Sequence, residues 1–158
     1  MSTSTSIQFT LNGKAISVEV EHHIHVVELL NRFQLKGARE SCGQGLCGAC
    51  TVLVDDLAVS GCLMPAFMLH GKSVETVENL STINEPLHPI QEAFVDQGAF
   101  QCGFCTPGFV MMTKHLLALN PHPSDEEIRD FFAGNLCRCG TYPEIIAAVK
   151  QAAEKLHP

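Results

Sequence analysis

Eight cysteines stand at positions 42, 47, 50, 62, 102, 105, 137 and 139, in two groups of four separated by about 40 residues that contain none. An even count permits disulfides, but it is also the number that two four-ligand metal sites require. Eight in 158 residues is about 5%, below the roughly 8–10% of disulfide-stapled domains. The opening MSTSTSIQFTLNGK has no basic region, no apolar stretch of export-signal length and no twin arginine. No apolar run nears the ~18 residues of a membrane span. The expectation is a soluble, cytoplasmic chain whose thiols stay reduced and bind metal.

The first group lies in ESCGQGLCGACTVLVDDLAVSGC and reads Cys42-x4-Cys47-x2-Cys50, with Cys62 after eleven more residues. The x4, x2 spacing is the plant-type ferredoxin signature of a [2Fe–2S] cluster. One loop then wraps a compact two-iron core, and its backbone must come close enough for N–H groups to offset the charge on sulfur. Gly43, Gly45 and Gly48, having no Cβ, supply that approach. Structural zinc sites instead pair two short Cys knuckles. Residues 43–48 also match G-x-G-x-x-G literally, but a dinucleotide fingerprint needs a strand before, a helix after and an acid about 20 residues on. Here a strand-like TVLV follows and residues 60–69 contain no acid, so nucleotide binding is not expected.

The second group reads Cys102-x2-Cys105, then 31 residues, then Cys137-x-Cys139, in FQCGFCTPGF and GNLCRCGTYPE. Spacing alone admits both an iron–sulfur cluster and zinc. Each pair precedes a helical pattern, so two helix N-termini would face one site and favour its thiolates.

Around these groups the first half of the chain is mostly strand-like and the second half helical. Residues 7–11 and 15–20 alternate as strands about an Asn12-Gly13 type I′ turn; residues 25–33 have helical spacing; 51–54, 57–59 and 73–77 return to strand character. From residue 87 the pattern is helical. A helix over 88–99 turns Ile90, Phe94 and Val95 inward. A second, with Thr106 as N-cap and Pro107 at its first position, carries Phe109, Val110, Met112, Leu116 and Leu117. Ser124 opens a capping box for a short helix with Ile128, Phe131 and Phe132. Thr141 offers a further cap, ahead of Ile145, Ile146, Val149, Ala153 and Leu156. The order is α+β, with residues 1–78 strand-rich, 79–86 a linker, and 87–158 a small four-helix bundle. Halves of this size often need a metal staple, and each half contains one quartet.

With both quartets set out, the chain resembles the small iron–sulfur subunit of the molybdenum hydroxylase (xanthine oxidase) family over roughly residues 5–155. The resemblance implies a β-grasp ferredoxin-like domain followed by an all-α four-helix domain, each with a [2Fe–2S] cluster. Cys42, Cys47, Cys50 and Cys62 would hold the first cluster. Cys102, Cys105, Cys137 and Cys139 would hold the second. It further implies a large partner subunit with a molybdopterin cofactor, where substrate is hydroxylated with oxygen from water. Electrons would enter at the second cluster, with Gln101 and Cys139 contacting the pterin, and leave from the first, commonly to FAD in a medium subunit. Much of the family reads Cys-Thr-Gly-Tyr where this chain has Cys139-Gly140-Thr141-Tyr142. That order resembles members with a cytochrome-bearing partner, whereas Cys105-Thr106-Pro107-Gly108 resembles the flavin-linked ones, so both acceptors stay open.

The remaining features have structural explanations. His22, His23 and His25 read as a solvated turn before a helix, Met111-Met112 as core filling, and Asp125-Glu126-Glu127 as acids on a helix N-terminus. A net charge of −7 with no basic block argues against nucleic acid. No arrangement of Ser, His and Asp argues for nucleophilic catalysis. The readings left are the hydroxylase electron-transfer subunit, a free-standing two-cluster carrier, and a structural zinc module.

Overall fold

Alternating apolar side chains put Ile7, Phe9 and Leu11 on one face of strand β1 (Ser4–Leu11), which pairs antiparallel with β2 (Lys14–Glu21) from Ser4↔Glu21 to Leu11↔Lys14. These positions come from a computed structural model, which describes residues 3–82 and 84–158; Met1, Ser2 and Ile83, the last within the expected linker, lie outside the described residues. Asn12 and Gly13 both have positive φ, 50° and 77°, which a type I′ hairpin requires. Helix α1 (Val26–Arg32) begins where the His25 N–H donates to Glu28 Oε2 at 2.8 Å. It buries Val26, Val27, Leu29 and Leu30 in one core with Ile7, Phe9 and Val20 of the hairpin.

Strands β3 (Thr51–Val54) and β4 (Leu57–Ser60) form a second antiparallel pair. Strand β5 (Ser73–Glu75) joins the two pairs, running parallel to β1 and antiparallel to β3, so the mixed sheet has the order β2-β1-β5-β3-β4. The strand expected over 73–77 is cut short at Glu75. The Thr76 N–H donates to the Asn12 side-chain oxygen at 2.9 Å, and the Asn12 amide donates to Thr76 Oγ1 at 3.0 Å, after which the chain coils into a short 3₁₀ turn (Val77–Asn79).

Four helices follow: α2 (Pro89–Asp96), α3 (Thr106–Leu119), α4 (Asp125–Phe131) and α5 (Tyr142–Leu156), with α5 packed against the other three. Their core gathers Ile90, Phe94, Phe109, Leu116, Ile128, Ile145 and Val149, and Val77 and Leu80 pack onto it from the preceding segment. The Ser124 box forms: its Oγ accepts from Glu127 N at 3.3 Å, and Glu127 Oε2 accepts from Ser124 N at 2.7 Å.

Four helix details differ from the sequence expectation. Helix α2 stops at Asp96 and not at residue 99, because Gly98 takes φ +58° and the Ala99 N–H folds back to the Phe94 carbonyl at 2.9 Å. Val95 is exposed, and Ala93 takes the buried place. Thr106 is the first helical residue and Cys105 the N-cap, a shift of one position. Met111 fills the core as expected, while Met112 is half-buried.

The two halves are joined by α3 lying on β3 and β4. Gly108 of α3 makes this contact possible, since a Cβ there would overlap the Gly48 carbonyl of the first cysteine loop. Lys114 of α3 donates to both oxygens of Glu75 on β5, at 2.6 and 2.5 Å. Burial raises the Glu75 carboxyl, but Lys114 and Asn79 outweigh burial and hold it below the ordinary value of 4.5. A lowered carboxyl stabilises the fold above its unfolded value and loses that contribution as pH falls through the folded one. Urea midpoints of the native protein are therefore expected to fall more steeply below pH 4.5 than those of Glu75→Gln; parallel curves would show that the pair contributes nothing.

Candidate metal centres

The first quartet is assembled by a loop between α1 and β3 and by the turn after β4. Gly43, Gly45 and Gly48 have φ of +63°, +71° and +66°, so the loop winds through conformations that L side chains rarely adopt. The winding turns N–H groups inward: Gln44 and Leu46 each donate to Cys42 Sγ at 3.4 Å. The Gln44 N–H first, with Cys47 and Leu46 behind it, draws the Cys42 thiol down to about 6. Cys50 lies deeper, and burial pushes its thiol up to about 12 beside Cys62. Gly61, which the sequence reading passed over, brings these two together: its N–H donates to the Cys50 carbonyl at 3.2 Å, and a Cβ there would press on the same oxygen. A glycine directly before Cys62 is the signal that could have marked it.

The second quartet is built from two helix starts. Cys102 and Cys105 precede α3, Cys137 and Cys139 precede α5, and Cys139 Sγ lies 3.6 Å from Cys102 Sγ. The Phe104 N–H lowers the Cys102 thiol, whereas burial lifts Cys105 to about 12 beside Cys137. Burial also raises Cys137, but the Thr141 hydroxyl and nearby N–H groups outweigh it and bring the thiol to about 7. The lone tyrosine, Tyr142, accepts from the Cys137 N–H at 2.9 Å. Thr141 stands at the N-cap of α5 as expected, yet its hydroxyl does not cap the helix. Gln101 is exposed next to exposed Cys102, and Cys139 is half-exposed.

All eight cysteines are free thiols. They lie in pairs, Cys42 by Cys47 and Cys50 by Cys62, then Cys102 by Cys139 and Cys105 by Cys137. Among the described residues no three His, Cys, Asp or Glu side chains are grouped as one metal ion would need. Paired thiols fit a [2Fe–2S] core, which divides four thiolates between two irons, better than tetrahedral zinc, which draws them to one point. Inward N–H groups and two helix N-termini suit the negative charge of such a core. Elsewhere, the G-x-G-x-x-G run leads into β3 and not into a helix, and the 22–25 histidines serve the turn before α1, where His22 meets Phe67 edge-on at 6.0 Å.

The two cysteine loops are also bonded to each other, which the sequence does not reveal. The Leu136 N–H, one residue before Cys137, donates to the Cys47 carbonyl at 2.9 Å. Arg39 donates to the carbonyls of Gly103 and Phe104, at 2.7 and 3.0 Å, between Cys102 and Cys105, and its guanidinium lies over the Phe104 ring. Asn135 reaches the Gly48 carbonyl at 3.5 Å.

Comparison with known proteins agrees with this architecture. Residues 9–84 match the family described as 2Fe-2S iron-sulfur cluster binding domain, and residues 76–150 match the family described as [2Fe-2S] binding domain. The nicotinate dehydrogenase small FeS subunit of Eubacterium barkeri is 40% identical over 95% of this chain and 96% of its own length. The nicotine 6-hydroxylase small subunit of Paenarthrobacter nicotinovorans is 43% identical over 96% of this chain and 91% of its own. In the crystal structure of quinoline 2-oxidoreductase from Pseudomonas putida, one chain superposes with a TM-score of 0.92 at 41% identity, covering 97% of this chain and 96% of that one. With its paired quartets, its mixed sheet and its helical second half, the chain belongs to the small [2Fe–2S] iron–sulfur subunits of the molybdenum hydroxylase (xanthine oxidase) family.

Proposed function

We propose that this chain carries electrons in a multi-subunit molybdenum hydroxylase, from a molybdopterin centre in a large subunit through two [2Fe–2S] clusters to FAD in a medium subunit or to a cytochrome-bearing subunit. Cys42, Cys47, Cys50 and Cys62 hold the first cluster, with Gly43, Gly45 and Gly48 shaping its loop. Cys102, Cys105, Cys137 and Cys139 hold the second, in a domain of residues 87–158 whose four helices form a bundle, joined through a linker at 79–86 to a β-grasp domain of residues 1–78. When bound, each cluster supplies a one-electron couple, which suits a substrate oxidation that releases electrons in pairs. Gln101 and Cys139, at the surface of the second quartet, contact the pterin of the large subunit. The Gln44 and Leu46 N–H groups stabilise the charge on Cys42, and the hydrogen bond from Leu136 to Cys47 gives a direct bonded connection between the two cysteine loops. Hydroxylation takes place in the partner, and the complex works in the cytoplasm.

The observation that carries this reading is the bonding of two thiol quartets into one unit by Leu136 and Arg39. Two centres fixed side by side are of use to a relay, whereas two structural staples have no need to touch. The test is to isolate the chain with its native partners and measure iron, inorganic sulfide, molybdenum, flavin and haem per copy. Iron and sulfide for two [2Fe–2S] clusters are expected, together with molybdenum and either flavin or haem. An intact, active preparation without molybdenum would establish a free-standing carrier instead, and zinc without sulfide would overturn the cluster assignment.

A further inference from the structure

We infer that the Thr141 hydroxyl sets the reduction potential of the second cluster by donating a hydrogen bond to Cys137 Sγ, an inference that rests on the second quartet holding a [2Fe–2S] cluster. The hydroxyl lies 3.1 Å from that sulfur. A thiolate bound to iron has no proton to give, so in the loaded protein the hydroxyl is the donor.

The placement departs from what the position normally does. A threonine at a helix N-cap ordinarily accepts from an N–H of the first turn, as Ser124 does at the start of α4, where its Oγ accepts from Glu127 N. Thr141 occupies the N-cap of α5 and makes no such bond. The residue is only 4% exposed, so water does not compete for the hydroxyl. The backbone holds it in place. Gly140 takes φ +83° and donates to the Cys137 carbonyl at 3.2 Å, which folds Thr141 back onto the sulfur four residues before it. Tyr142 fixes the other side by accepting from the Cys137 N–H at 2.9 Å.

Among the described residues no other hydroxyl side chain is hydrogen-bonded to a sulfur of either quartet; Cys42 takes backbone N–H groups and the neighbouring Cys47 thiol. Reduction adds negative charge that is shared with the sulfurs, and a donor to sulfur stabilises the reduced state, which raises the potential. The effect is confined to the second cluster.

The test is an anaerobic redox titration of the assembled complex, with the paramagnetic signal of each reduced cluster followed separately. Thr141→Val keeps the shape of the side chain and removes the donor. It is expected to move half-reduction of the second cluster to more negative potential and leave the first unchanged. Thr141→Ser is expected to keep the native value. A Val variant with the second signal present and its potential unmoved would overturn the inference, as would equal shifts in the Val and Ser variants, which would mark a purely packing role. Should the Val variant fail to assemble, the native complex decides. Its reduced second cluster should couple to an exchangeable hydroxyl proton that is lost in deuterated buffer, and the lack of one refutes the donor role. Absence of a second cluster signal in the native complex would instead defeat the cluster reading itself.

Discussion

Cys105→Ser is expected to erase the signal of the second cluster and leave the first, and Cys47→Ser to do the reverse. Each change removes one thiolate from a different quartet, and a serine hydroxyl is a poor replacement for a soft sulfur ligand. The backbone bond from Leu136 to the Cys47 carbonyl does not depend on the sulfur, so neither substitution should separate the halves. Spectra of anaerobically reduced samples should therefore contain one signal in each variant and two in the native protein. Turnover of the assembled complex should fall in both, by more than the roughly 10- to 100-fold that loss of a supporting contact around a metal costs. A single loss common to both variants would mean one shared centre. Turnover preserved in either variant would mean that electrons do not pass through both.

Gly48→Ala is the second large effect, because one methyl group acts at three places. Gly48 has φ +66°, a conformation that costs an L residue about 1–2 kcal/mol. Its Cβ would also overlap the Asn135 side chain and come within 2.9 Å of the Gly134 carbonyl. Overpacking of this kind typically costs a further ~1–3 kcal/mol. Gly13→Ala separates the two contributions: φ there is +77°, yet nothing lies within 4 Å of the added atom. Urea unfolding followed by circular dichroism should show a modest drop for Gly13→Ala and a clearly larger one for Gly48→Ala. Visible absorption should be lost at lower urea in Gly48→Ala alone, since the displaced segment is the loop of the first quartet. Equal drops in the two variants would show that the packing against Asn135 and Gly134 is slack.

Much of the fold is legible in the sequence because it is local. Asn12-Gly13 determines the hairpin, Ser124 and Glu127 determine the start of α4, and the close spacing of Cys42, Cys47 and Cys50 marks the first thiol loop. The errors arise where a contact from elsewhere overrides a local preference. Thr76 leaves the strand pattern because Asn12, 64 residues earlier, takes its N–H. Val95 has the apolar character of a core residue, but the buried stripe of α2 passes through Ile90, Ala93 and Phe94. Thr141 matches a capping signature, yet the sulfur of Cys137 claims its hydroxyl. Nothing in the spacing of the cysteines discloses that Gly108 fits against Gly48, or that Arg39 spans to Gly103 and Phe104. Those contacts join residues 60 or more positions apart and depend on how the halves dock.

The docking of the halves also bears on timing. Leu136, Asn135 and Arg39 latch one cysteine loop to the other, and Gly108 lets a helix seat directly against the Gly48 carbonyl. A tether that let the halves swing would make current wait for each close approach, as in carriers that shuttle between docking sites. Here one backbone hydrogen bond and the side chains of Arg39 and Asn135 hold the two cysteine loops together, so in an electron-carrying complex the chain would act as a fixed piece of wiring. In a complex such as the one proposed, control over the flow would then fall to the surfaces where other subunits bind, and thickening the solvent would find no swing between the two latched loops to slow.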